Sequence, residues 1–151
     1  MKFEIDYNTY MTVAEADSIM ADEFDSKSEE YILWSQLDNL GKQRLIINGT
    51  RLVDKLPYIG IQYPGNNSLR WPRLISSRYF ECPYDIKVGI LKQITRETIN
   101  SYTNEYKLQE LGVKSYSIKG ASISFTDKEY NKISLGIYKD IYDEYFSKWV
   151  Y

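Results

Sequence analysis

The chain contains no histidine. That absence rules out Ser-His-Asp and Cys-His catalysis, His-ligated metals and the side chain that most often moves protons near neutral pH. Cys82 is the single cysteine, so neither an intrachain disulfide nor a multi-cysteine zinc site can form. The G-x-x-x-x-G-K-[ST] and G-x-G-x-x-G loops are both missing, which removes the two common cradles for nucleotide phosphates. Met1-Lys2-Phe3-Glu4-Ile5-Asp6 lacks the basic and apolar regions of a secretory signal, and no apolar run approaches membrane-spanning length. The sequence is therefore expected to stay in the cytosol where it is made. Positive charge is scarce as well: 19 Lys and Arg face 21 Asp and Glu, and the formal net charge is −2. A balance of that sign argues against wholesale coating of DNA or of an anionic membrane.

What is present is the composition of one globular domain. The 151 residues are 43% hydrophobic and 26% charged, enough chain and enough apolar mass for a core. Tyrosine stands out at 15 residues, beside 3 Trp and 5 Phe. Amphipathic aromatics are enriched at protein interfaces. Low-GC codon usage, which raises Tyr, Asn, Ile and Lys together, accounts for the same surplus equally well.

Hydrophobic spacing predicts a mainly α protein, a small bundle of about four helices with a short β-hairpin before the last helix. Thr12-Val13-Ala14-Glu15 has the form of a capping box, and Val13, Ala16, Ile19, Met20 and Phe24 recur behind it at helical spacing. After a polar break at Asp25-Ser26-Lys27-Ser28, Leu33, Leu37, Leu40, Leu45, Ile46, Leu52, Val53 and Leu56 allow one long helix. It has a possible interruption at Gly41 and is closed by Pro57. From Tyr58 to Tyr79 the residues Gly60, Pro64, Gly65, Asn66, Asn67 and Pro72 predict a long ordered loop, a kind of segment that tends to be functional. Pro83 suits the start of a third helix running to about Tyr102, with Ile86, Ile90, Leu91 and Ile94 inward. Beyond Gly112 the period falls to two. Tyr116, Ile118, Ile123 and Phe125 alternate with serines around Lys119-Gly120, the pattern of a hairpin with open edges. Thr126 opens a last helix running nearly to Tyr151. Its apolar residues fall on two faces, one of Ile133, Ile137 and Ile141 and one of Tyr138, Tyr142, Tyr145, Phe146 and Trp149. The second face suits a partner, or a central position in the chain's own bundle.

Candidate chemistry is thin. Asp22, Glu23, Asp25, Glu29 and Glu30 straddle a helix end without the spacing of a calcium loop, which marks a solvated surface. Cys82, ahead of Pro83, has burial or capping as sufficient explanation. Arg70, Arg73 and Arg78 lie among Trp71, Tyr79 and Phe80, a mixture that can grip single-stranded nucleic acid or anchor a protein interface. The reading expects no catalytic residue, no metal and no cofactor.

Tyr10-Met11-Thr12-Val13-Ala14-Glu15-Ala16-Asp17 resembles the S/T-V-x-E-A-D-x-Y opening of the head-tail connector (adaptor, or head-completion) proteins of long-tailed bacteriophages. Further features follow in the same order as in that family. They are the pairs Leu45-Ile46 and Leu52-Val53, the run Leu69-Arg70-Trp71-Pro72-Arg73, the Pro83-initiated helix and the serine-rich hairpin from Ser115 to Phe125. Together they span most of the chain. The resemblance implies a structural virion protein that assembles as a ring, usually of twelve copies, beneath the portal protein. Such a ring extends the DNA channel without binding DNA specifically and offers a platform to the next connector or tail-completion protein. On this reading Tyr138, Tyr142, Tyr145, Phe146 and Trp149 meet the portal or the adjacent subunit. Arg70, Trp71 and Arg73 contact a neighbour, and the edge formed by Tyr116, Ile118, Ile123 and Phe125 adds strands between subunits. The sequence departs from the family pattern at Gly89, where an Ala often sits, and in its Tyr-rich last helix, which puts the portal contacts of that helix in doubt. Similar sequences are also identified as DnaT-like single-stranded DNA-binding proteins, and that alternative requires the Arg/aromatic loop to be a nucleic-acid groove.

Overall fold

Thr12 starts the first helix as its position predicts. The computed structural model describes residues 2–111 and 139–151, with side chains to Tyr102 in the first range. Thr12 holds extended backbone and its hydroxyl accepts from the Glu15 amide at 3.0 Å, opening α1 over Val13–Glu23. The Glu15 carboxylate does not turn back to the helix end but pairs with Lys87 at 2.6 Å. Ala16, Ile19 and Met20 point inward, with Val13 and Phe24 half-buried at the margins.

The single helix expected over Leu33 to Leu56 is two. Ser28 caps α2, Glu29–Ser35, by accepting from the Tyr31 amide. Asp38 caps α3, Asn39–Val53, accepting from the Gly41 amide at 2.7 Å. The interruption therefore lies ahead of Gly41, because a short carboxylate at 38 offers the orphan amides of a new helix their acceptor. Gly41 sits inside the first turn. α3 ends at Val53, and the chain turns through 54–56 before it reaches Pro57.

The expected loop from Tyr58 to Tyr79 contains a three-stranded antiparallel sheet. Its strands are β1, Ile61–Gln62, β2, Arg73–Ile75, and β3, Arg78–Phe80, with Gln62 opposite Arg73 and Leu74 opposite Tyr79. Strands of two and three residues are too short for alternation to register against the turn residues around them. The peptide bonds preceding Pro64 and Pro72 are cis.

α4, Tyr84–Leu111, follows Pro83 directly and extends beyond the expected end near Tyr102. Ile86, Ile90, Leu91 and Ile94 are buried as predicted, and the helix packs on α1, α2 and α3. At Gly49 of α3 a β-carbon would stand 2.9 Å from Ile90 Cγ2 and 3.1 Å from Ile90 O, so the missing side chain sets how closely α3 and α4 approach. The chain re-enters as helix at 139–141 and passes into a π-helical turn, Tyr142–Phe146, in which the Ser147 amide donates to Tyr142 O at 2.8 Å. The last helix thus gives way before Tyr151. Val150 forms an antiparallel bridge with Tyr58, and the Ile59 amide donates to Trp149 O at 2.9 Å. The architecture is mainly α, with a small sheet. Tyr116, Ile118, Ile123 and Phe125 of the expected hairpin, the helix start at Thr126, and Tyr138 lie outside the described residues.

Candidate docking surface

Arg73 is a fastener, not a surface hook. It is 7% exposed, and its guanidinium donates to four carbonyls: Ile59 O at 2.8 Å, Arg70 O at 3.0 Å, Tyr58 O at 3.3 Å and Gly60 O at 2.8 Å. A planar fork of five donors suits that task. Burial lowers its pKa, yet an arginine there keeps its charge. Those bonds pin the chain entering β1 to β2, which explains how a sheet this small holds together.

Trp71 lies beneath the sheet with no exposed surface. It meets Tyr58 edge-on at 5.3 Å and Trp149 at 5.7 Å, and Trp149 meets Phe80 at 5.6 Å. Edge-to-face pairs of this kind add about 0.5–1.5 kcal/mol each beyond the area they bury. A second junction ties this cluster to α3. The Tyr10 hydroxyl donates to Asp54, the Arg70 amide donates to both Asp54 oxygens at 3.1 and 3.2 Å, and the Trp71 amide donates to the Tyr10 oxygen at 3.1 Å. Burial pushes the Asp54 carboxyl up, against the donors that hold it down. Burial, then the Asp54 charge, pushes the Tyr10 phenol far up, so it stays a donor.

Two expectations are therefore corrected. Trp71 and Arg73 belong to the interior and do not face a neighbour, because their length and donor geometry are used inside the chain; of that set only Arg70 is exposed. Of the second apolar face of the last helix, Phe146 and Trp149 are likewise taken up by the chain's own fold, the central position that its spacing also allowed. Phe146 is fully buried, Trp149 is 8% exposed, and Tyr142 and Tyr145 are half-buried. Lys92 of α4 closes over this end, 5.1 Å from the Tyr145 ring and 2.8 Å from Glu144. A nucleic-acid groove in this loop would likewise be without Trp71 and Arg73, and of its named residues Arg70, Arg78 and Tyr79 are exposed.

The sheet instead turns a different set outward. Ile61 is 64% exposed, Tyr63 51% and Tyr79 53%. Pairing aligns Ile61 with Leu74 and Leu74 with Tyr79 across the three strands, and the Tyr63 and Tyr79 rings meet edge-on at 6.2 Å. Arg78 alternates with Tyr79 along β3 and lies over the Phe80 ring on the other face of the sheet. Sequence reasoning named Tyr79 as an interface candidate but missed Ile61 and Tyr63. The signal was the out-in-out order Ile61-Gln62-Tyr63, hidden by Pro64 and Gly65 directly after it.

Beside the junction a cleft of about 280 Å³ is lined by Tyr10, Glu15, Tyr79, Cys82 and Lys87 among others. Its one cation is engaged by Glu15, and burial of the sulfur pushes the Cys82 thiol well above its usual range, away from nucleophilic thiolate. Among the described residues no His, Cys, Asp and Glu group has metal-holding geometry, and no helix is long and apolar enough to cross a membrane. No family model, no curated protein and no solved structure matches the chain.

Proposed function

We propose that the protein is a head-tail connector subunit of a long-tailed phage, a structural virion component that rings the DNA channel beneath the portal. What supports this reading most is the place of the opening motif in the fold. Thr12 caps α1, Glu15 pairs with Lys87 of α4, and Ala16 is buried. Asp17 accepts from Trp34 Nε1 of α2 at 2.8 Å and pairs with Lys42 of α3 at 2.9 Å. The residues on which the resemblance begins are thus the joints that fix α1 against three other helices. Likeness at joints speaks for likeness of fold more strongly than likeness at a solvated surface, and function is carried over from it by analogy.

In this role the chain acts by surfaces. Its partners are copies of itself in the ring, the portal protein on one face and the next connector on the other, while genomic DNA passes without specific contacts. With Phe146 and Trp149 turned inward, the apolar row of Ile61, Tyr63 and Tyr79 is the described surface best suited to the portal. Its aromatic content fits a protein partner.

Native mass measured with and without the portal protein tests the proposal. Rings on the portal and a chain inert toward oligonucleotides are expected. A chain that ignores the portal and binds single-stranded DNA below micromolar concentration overturns it in favour of the DNA-binding alternative.

A further inference from the structure

The outer face of α3 carries a basic groove whose two arginines meet no carboxylate among the described residues. Arg44, Asn48 and Arg51 recur there at helical spacing, all exposed, and with Lys2, Asn8 and Ile47 they line a groove of about 450 Å³. The two arginines stand about 10 Å apart along the helix axis, two turns at 1.5 Å per residue. Neither is within ion-pair distance of a carboxylate among the described residues, while Lys2 meets Glu4 at 3.3 Å and lies 3.8 Å from the centre of the Tyr7 ring, both contacts exposed. Asn8 fixes the rim by donating to Lys2 O at 2.8 Å and accepting from the Glu4 amide at 3.0 Å. Two guanidinium groups with no carboxylate partner among the described residues, lining one groove in a chain of net charge −2, suit an anionic partner.

The same chain displays the complement elsewhere. Where α1 ends and α4 begins, the exposed Tyr84 hydroxyl donates to Glu23 at 2.8 Å, and the Asp22 and Asp85 charges act on the same hydroxyl. All three carboxylates are exposed and none pairs with a cation among the described residues. The two patches share no residue, and no ion pair joins them within the chain.

We propose that the α3 groove of one copy receives the Asp22, Glu23 and Asp85 surface of a second copy. This inference rests on the reading of the chain as a ring subunit and names its interface. Two different patches meeting head to tail form a heterologous contact, which is the kind that closes into a ring by rotation. Arg44 and Arg51 supply bidentate donors, and the tyrosine among the carboxylates supplies area at the contact.

Charge reversal and mixing test it on the full chain, with association followed by sedimentation and by assembly on the portal, and folding checked by thermal melting. The wild type is expected to associate more weakly as salt rises, since exposed pairs are screened. Arg44→Glu with Arg51→Glu, and separately Asp22→Lys with Asp85→Lys, should each weaken association by about tenfold or more. A mixture of the two variants should regain it. If either reversal disturbs folding, Arg44→Gln with Arg51→Gln gives the same comparison at lower repulsion. Rings that form equally well from every variant overturn the interface and leave the ring reading standing. A wild-type chain that stays monomeric even with portal overturns both. Loss of association that mixing fails to restore also overturns the interface, and loss of oligonucleotide binding in the same arginine variant then assigns the groove to nucleic-acid phosphates.

Discussion

The ring of Phe146 lies on the backbone of Gly89. A β-carbon at position 89 would stand 2.5 Å from Phe146 Cζ and 2.7 Å from Cε1, so an alanine cannot be accommodated without moving the ring. The π-helical turn delivers Phe146 to that spot, and α4 receives it only where the side chain is absent. The glycine that departs from the connector pattern and the aromatic last helix are therefore two halves of one contact.

Replacing Gly89 by Ala should destabilise the protein by about 1–3 kcal/mol, the usual range for overpacking a tight core, despite the better helix propensity of alanine. Urea unfolding measures the loss. Adding Phe146→Leu should recover part of it, because the smaller side chain vacates the space, and a double-mutant cycle should give a coupling well outside error. Additive losses would mean that Phe146 does not pack on α4 here.

Trp149 presents a different balance. Its indole and that of Trp71 are buried edge to face, and neither Nε1 has an acceptor among the described residues. An unmade hydrogen bond of this kind costs about 1–3 kcal/mol. Trp149→Phe keeps most of the ring packing and removes the orphan donor, so it should be neutral or mildly stabilising. Trp149→Ala should cost about 3–5 kcal/mol by opening a cavity. Thermal denaturation of the pair separates packing from polarity.

The readable parts of this fold were those governed by local chemistry. Thr12 and Pro83 mark helix starts because capping and proline geometry act within a few residues. Ile86, Ile90, Leu91 and Ile94 mark a buried face because one helix repeats every 3.6 residues. The sheet was not readable, because Arg73 stabilises it through carbonyls 13 to 15 positions earlier. The same distance explains why Trp71 and Arg73 looked like surface anchors: a long polar or aromatic side chain suits an interface and an interior equally, and only tertiary contacts decide. Asp38 was a missed local signal, outweighed by the continuous leucine spacing across it.

Asp54 gives a pH test of the junction beneath the sheet. Burial raises its folded pKa above the value it has in the unfolded chain. The folded state then binds the proton more tightly, so this group's contribution is most favourable at low pH and is lost as pH rises through the folded pKa. Asp54→Asn removes the titration but keeps an acceptor for the Tyr10 hydroxyl. The variant should therefore lose more stability relative to the wild type near pH 4 than near pH 7. Urea titrations across that range would show the gap narrowing upward; a gap that widens toward neutral pH would mean that the donors from Tyr10 and Arg70 dominate over burial.

Arg73 separates a structural role from a nucleic-acid role. Arg73→Ala leaves four buried or half-buried carbonyls without their donor, and at about 1–3 kcal/mol for an unsatisfied buried group the variant should be strongly destabilised. Lysine cannot restore the fork geometry, so Arg73→Lys should recover little. Arg70→Ala, at an exposed site, should stay within about 0.5 kcal/mol of the wild type. Tyr63→Ser with Tyr79→Ser should likewise stay folded, yet fail to load onto the portal if the outer row of the sheet is the docking surface. A folded double variant that assembles as well as the wild type would move the portal contact off the sheet. A cooperative, unchanged melt for Arg73→Ala would remove the fastener account itself.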